Sequence, residues 1–417
     1  MTSLYYLLGV LLFAVLLLAS IGLHEFGHLI PAKKFGARVP QWFIGFGPTL
    51  WSFTRRGTEY GIKAAPLGGY VRIVGMVPSD PNLTEEDEPR AFYRLAWWKK
   101  VIVMAGGPTV NLLIAFVIFS FVFGIHGLQS LEALPGKPVI ESVSKCVIPY
   151  SESGRACKPT DPPAPAYEAG LRPGDVITSF NGTPVTGWDQ LRSLIQGNAA
   201  GTAVIGYERE LNGHWVAHTG TTSTTVEARP TSDTDLTLHQ VGFLGVSPKS
   251  HVVTTHGGPV FTIQQMGGMI RDSAVALVHL PQKVWGVAEA IVGAKPRAAD
   301  SPMSIVGGGR VAGETASASD IDVSDKLASL FSLAAGFNLF IGILNFVPLL
   351  PLDGGHIASA LWEALRRGLA WLRRRPDPGF VDATKLLPIA YVVGAFLLLM
   401  GAVLIVGDIV VPVNLPS

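Results

Sequence analysis

Leu4 to Leu23 runs for 20 residues without an Asp, Glu, Lys or Arg. As a helix rising about 1.5 Å per residue, that stretch spans the roughly 30 Å hydrocarbon core of a bilayer. Three more uncharged apolar stretches follow: Lys100 to about Leu128, Lys326 to Asp353, and Lys385 to Asp408. Residues 130–325 hold no comparable run. Within them, 259–293 are apolar but interrupted by Arg271, Asp272, His279, Lys283 and Glu289, as in an amphipathic helix lying on a surface. The opening MTSLYY lacks positive charge and its apolar run is too long for a signal peptide, so the first stretch reads as a retained span. Hydrophobic residues make up 48% of the chain and charged ones 15%, with a mean hydropathy of +0.37. The fold class is therefore a polytopic α-helical membrane protein with about four transmembrane helices. A net charge of +1 gives no basis for nucleic-acid binding, and two cysteines are too few for a disulfide framework or a cysteine metal site.

Lysine and arginine set an expected orientation. The first connection carries 11 of them between Lys33 and Lys100. The last carries Arg366, Arg367, Arg373, Arg374, Arg375 and Lys385, and neither terminal tail has any. The positive-inside rule puts both short connections in the cytoplasm, and both termini with the long middle segment outside.

The first span ends in His24-Glu25-Phe26-Gly27-His28. Histidines at i and i+4 share one helical face and can reach one metal, with Glu25 between them to take a proton from a zinc-bound water. Three ionisable residues inside a span are costly and mark function. A hydrolytic zinc needs a third protein ligand and an open position. The third span ends in Asn345-Phe-Val-Pro348-Leu-Leu-Pro351-Leu-Asp353-Gly354-Gly355-His356, on the cytoplasmic end shared with His24 and His28. Alone, Asp353 reads as a helix cap; beside a proline-broken span and the His pair it reads as the third ligand. His356 reads either as an alternative ligand or, the simpler reading, as part of the local structure. Asn345 reads either as a donor to a developing oxyanion or as a partner for backbone freed by the prolines.

These motifs together resemble the site-2 protease family, of the bacterial RseP kind and its actinobacterial counterparts, over nearly the whole chain. Met104-Ala-Gly-Gly-Pro108-Thr-Val-Asn111 resembles its second-span signature, and Tyr60 to Val71, with Gly68-Gly69, its membrane-associated β-element. The resemblance implies one zinc ion per chain on His24, His28 and Asp353, with Glu25 as general base and acid. It also implies Asn345 as a catalytic residue and substrate contacts at Gly68, Gly69, Asn111 and Pro348. It implies regulated intramembrane proteolysis of single-pass membrane proteins, anti-sigma factors foremost, after an outside cut by a site-1-type protease. The setting it implies is a bacterial cytoplasmic membrane. A helical peptide bond is hidden by its own hydrogen bonds, so substrate must become extended; residues 58–75 read as a strand edge to receive it or as an ordinary hairpin.

Residues 137–248 read as one β-rich domain, with a strand at Pro138–Val143, a turn at Asn181-Gly182 and a helix from Trp188 to Gln196. The string from Ala169 to Gly182 resembles a bacterial PDZ domain, which implies capture of a peptide C-terminus. Cys146 and Cys157 flank an insertion there; an oxidising compartment favours a disulfide between them over two free thiols. The expected organisation is a first span at 1–33, a cytoplasmic loop with the β-element at 34–98, and a second span at 99–128. The PDZ domain at 137–248 and an amphipathic region at 249–325 follow. A third span at 327–353, a cytoplasmic loop at 354–385 and a fourth span at 386–408 complete it. Two other readings stay open: a membrane-anchored zinc protease acting on soluble or misfolded cytoplasmic substrates, and a non-enzymatic transporter or PDZ scaffold.

Overall fold

The computed structural model describes residues 2–78, 83–150, 156–231, 238–295, 297–298, 300–319, 321–382 and 386–413. Helix α1 (Thr2–Lys34) is followed by strands β1 (Gln41–Arg55) and β2 (Thr58–Arg72), and by α2 (Trp97–Phe121). A strand-rich stretch comes next: β3 (Leu128–Ala133), β4 (Ile140–Val143), α3 (Pro165–Glu168), β5 (Val176–Phe180), β6 (Thr183–Pro184) and α4 (Trp188–Gly197). It continues with β7 (Thr202–Leu211), β8 (His214–Ser223), β9 (Thr225–Pro230), β10 (Leu238–Phe243), β11 (Val246–Pro248) and β12 (Ser250–Thr255). The chain returns to helices in α5 (Pro259–Ile291), α6 (Ile305–Ser317), α7 (Val323–Asn345), α8 (Asp353–Leu372) and α9 (Leu387–Val410). Lys385, counted in the charge pattern, lies outside the described residues.

Two compact units result, one of Met1–Gly127, His256–Arg297 and Ser301–Pro412, the other chiefly of Leu128–Thr255. Four helices of the first unit are long and apolar enough to cross a membrane: Ser3–Lys34, Trp97–His126, Val323–Asn345 and Leu387–Val410. Their outward faces are apolar, with Leu11, Phe121, Tyr391 and Leu398 all exposed. Large apolar faces of this kind suit lipid and not water.

The third of these helices stops at Asn345, short of Asp353. Pro348 and Pro351 lie in a tight turn, since proline lacks the N–H that a continuing helix needs. The turn folds so closely onto the next helix that a Cβ at Gly354 would lie 2.2 Å from the Val347 carbonyl oxygen. Helix α8 then begins at Asp353, so the 354–385 connection is helical over much of its length.

β1 and β2 wrap on each other. Residues 41–44 pair on one side with 59–62 and on the other with 69–72, while 51–55 pair with 58–62. The strand at 69–72 is thus an edge, with no strand on its far side among the described residues.

In the second unit β6-β5-β7-β8 form one sheet, beside the pairs β9–β10, β4–β11 and β3–β12. Its core gathers Ile140, Ile177, Phe180, Ile205 and Leu244 with Trp188, Leu191 and Ile195 from one face of α4. Cys146 and Cys157 are joined, with their Cα atoms 6.0 Å apart.

A buried ion pair ties α2 to α8. Lys100 Nζ donates to Glu363 Oε2 at 2.8 Å, and the Val381 N–H donates to the same oxygen at 3.3 Å. Lys100→Met would remove the nearer cation from buried Glu363 and leave it Arg367 Nη1 at 3.7 Å. The expected cost is about 3–5 kcal/mol, read as a lower unfolding temperature in detergent. The Lys100→Met/Glu363→Met variant is expected to recover most of it.

Candidate active site

α1 places His24 and His28 one turn apart on the face toward α2 and α7. The His28 ring is fixed from α2: Nδ1 donates to the Val103 carbonyl oxygen at 2.8 Å. That bond selects the tautomer whose Nε2 lone pair is free. One turn before His24, Ser20 Oγ accepts from Asn338 Nδ2 at 3.0 Å, which ties α7 to α1. The turn after α7 then brings Asp353, the first residue of α8, to the same place.

Three donor atoms converge. His24 Nε2 and His28 Nε2 are 3.2 Å apart, and each is 3.4 Å from Asp353 Oδ2. Among the described residues no other group of three His, Cys, Asp or Glu is so arranged. Donors about 2.0–2.1 Å from a tetrahedral ion are separated by about 3.3–3.4 Å, so the triangle already has the edges such an ion requires. Two imidazoles and a carboxylate, without sulfur, suit zinc and leave one coordination position open.

α2 forms a wall because it carries no side chain there. A Cβ at Gly107 would lie 2.2 Å from His28 Nε2 and 2.7 Å from His24 Nε2. Its neighbour Gly106 lets the helices touch: a Cβ there would lie 2.0 Å from the Gly27 carbonyl oxygen.

A cavity of about 460 Å³ opens onto the triangle, lined by the three donors, Glu25, Met76, Met104 and the edge strand from Gly69 to Ile73. The Val71 backbone amide neighbours the Glu25 carboxylate. Gly69 is small where it must be, since a Cβ would approach Ile21 at 3.0 Å and the Glu25 side chain at 3.4 Å.

Other residues singled out from the sequence sit apart from this cavity. Asn345 ends α7, Pro348 is exposed in the following turn, and neither lines the cavity. Asn111 is buried on α2 with its Oδ1 unpartnered, also away from the lining. Gly68 adopts φ +150° against the Phe46 ring. His356 is not one of the three converging donors. Conversely, Val103, Gly107, Val71 and Met104 belong to the site without having been assigned there individually. The Gly-Gly pair inside an apolar span was the available signal, since small residues in spans mark close helix contact.

Comparison with known proteins agrees with this geometry. The model of Peptidase family M50 matches residues 12–374. The chain belongs to peptidase family M50. The site-2 proteases are this family, and the chain is a metalloendopeptidase of the site-2 type and an integral membrane protein. It is 34% identical over 419 residues to zinc metalloprotease Rip1 of Mycobacterium tuberculosis, covering 98% of each chain. It is 33% identical over 421 residues to zinc metalloprotease Rip1 of Mycolicibacterium smegmatis, again over 98% of each. A putative zinc metalloprotease of Brucella suis biovar 1 is 27% identical over 363 residues, 85% of each chain.

The glycine wall yields a test. Gly107→Ala is expected to abolish tight metal binding, measured as metal per chain after dialysis. Gly336→Ala, where an added Cβ meets nothing within 4 Å, is expected to leave metal content unchanged.

Proposed function

We propose that this site-2 protease holds one zinc ion per chain on His24, His28 and Asp353 and cuts peptide bonds within transmembrane segments of single-pass membrane proteins. The observation that carries the reading is the donor triangle, two of whose members, His24 and His28, lie on a helix of membrane-crossing length. His24 lies nine residues from Lys33, about 13 Å along the helix. Ionisable groups at that depth are costly and are kept for function.

When bound, zinc supplies a Lewis acid and brings the attacking water within reach of deprotonation near neutral pH. Glu25 takes the water's proton and returns it to the leaving amine. The Val103 carbonyl holds His28 in register throughout. Asn345 closes α7 just before the turn that delivers Asp353 and lies outside the cavity lining, so the reading gives it no step. Substrate adds as an extended strand along the edge that runs from Gly68 and Gly69 to Arg72, so its peptide bond is unwound beside Glu25. The reading gives no role to Asn111 or Pro348.

The Lys and Arg distribution supports a cytoplasmic active site with both termini and the Leu128–Thr255 unit outside. We read that unit as a PDZ domain that captures a peptide C-terminus. Its α4 helix, strand pairs and Asn181-Gly182 turn support the reading, the latter with φ +47° and +77°. Anti-sigma factors shortened outside by another protease are the proposed substrates, in a bacterial cytoplasmic membrane.

The test is cleavage of a single-pass model substrate by purified chain in detergent, with fragment ends mapped by mass spectrometry. Glu25→Gln is expected to retain zinc and lose cleavage by about 10²–10⁴-fold. Cuts are expected inside the apolar stretch. Undiminished cleavage by Glu25→Gln would remove the general base, and cuts confined to soluble tails would favour a membrane-anchored protease of soluble segments.

A further inference from the structure

Two cavities in the Leu128–Thr255 unit share a wall. One, of about 190 Å³, is lined by Trp188, Ile195 and Leu244; the other, of about 650 Å³, by Lys145, Ile148 and the Cys146–Cys157 bridge. Arg229, Phe243 and Gly245–Ser247 line both, so the two hollows adjoin along one groove. Its ionisable linings are Lys145, Arg192 and Arg229, and among the described residues neither lining includes an Asp or Glu. Asp161, beside the bridge, accepts from the Lys158 N–H at 2.7 Å and lines neither cavity.

Arg229 has no ion-pair partner among the described residues. Its guanidinium lies 3.9 Å over the Phe243 ring and donates to the Ile148 carbonyl oxygen at 2.8 Å. Its Nε is buried without a partner. Burial lowers its pKa from the ordinary arginine value, and Glu227, two residues back on β9, opposes that shift without forming an ion pair among the described residues. Arginine stays protonated at neutral pH, so the groove presents a partly desolvated charge that a carboxylate can complete.

We infer that this groove selects an extended acidic peptide, seating an apolar side chain beside Trp188, Ile195 and Leu244 and Asp or Glu carboxylates against Arg229 and Lys145. The inference rests on reading the unit as a peptide-capturing module and adds the charge of its ligand. A neutral peptide of the same shape would bury Arg229 further without pairing it, and that difference is the source of selectivity. Rim charge at Lys145 adds a salt-sensitive contribution.

The experiment is fluorescence polarisation with the full-length chain in detergent and two fluorescein-labelled probes. One is Ser-Glu-Asp-Glu-Ser-Ala-Leu-Val; the other is its neutral isostere Ser-Gln-Asn-Gln-Ser-Ala-Leu-Val. The acidic probe is expected to bind about tenfold more tightly at low salt, with the gap narrowing at high salt. Arg229→Gln with Lys145→Gln is expected to erase the gap, the acidic probe losing its pairing charges and the neutral probe no longer burying an unpaired one. Arg229→Lys, which keeps the charge, is expected to keep the preference and so shows that loss in the double variant is not misfolding. Equal affinities in the wild type, or a preference that survives in the double variant, would overturn the inference. Failure of both probes to bind a chain that still cleaves substrate would overturn the peptide-module reading, and the inference with it.

Discussion

The contact on which the site depends is backbone against backbone. Gly27 of α1 and Gly106 of α2 meet so closely that a Cβ on either would lie within 2.4 Å of the other's carbonyl oxygen. Without water between them, helices in a bilayer associate through packing, and small residues allow the closest packing. Here that approach brings the Val103 carbonyl within 2.8 Å of His28 and sets Gly107 against both imidazoles. An alanine at either glycine would push α2 outward, and His28 would lose the acceptor that sets its tautomer.

The third donor arrives by a different route. Asp353 sits beyond a helix broken by two prolines, so its place depends on anchors on either side of the break. Asn338 ties α7 to α1 through Ser20, and Glu363 ties α8 to α2 through Lys100. Both anchors are buried and polar, where an unpaired group is expensive. The wrapped β1–β2 sheet completes the arrangement by laying its edge beside Glu25. The cavity thus joins three converging donors, the Glu25 carboxylate and a strand edge.

Much of this was legible in the sequence, for physical reasons. Four helices of membrane-crossing length follow from uncharged runs that water would not tolerate. The His24, Glu25 and His28 spacing reads directly because the helical period puts both rings on one face. Asp353 needed a topological argument, and its position beside the histidines agrees with that argument. The break at Asn345 was harder to place, because prolines show that a helix must end without showing where the next begins. Helix α8 escaped notice since its ionic face, with Glu363 and Arg367, turns inward and its Leu365 and Trp371 turn outward, the reverse of a soluble amphipathic pattern. Asn345 and Pro348 share the Asp353 motif yet lie outside the cavity lining, since nearness in sequence to a ligand does not fix where a side chain points.

The proposed chemistry stands on the donor triangle, and zinc K-edge absorption on the purified chain probes that triangle itself. Nitrogen and oxygen scatterers are expected at about 2.0–2.1 Å, with outer-shell features of two imidazole rings. In Asp353→Ala an oxygen or nitrogen neighbour should be lost or replaced while both rings remain. Sulfur at about 2.3 Å, a count of imidazoles other than two, or a spectrum unchanged in His24→Ala would contradict it.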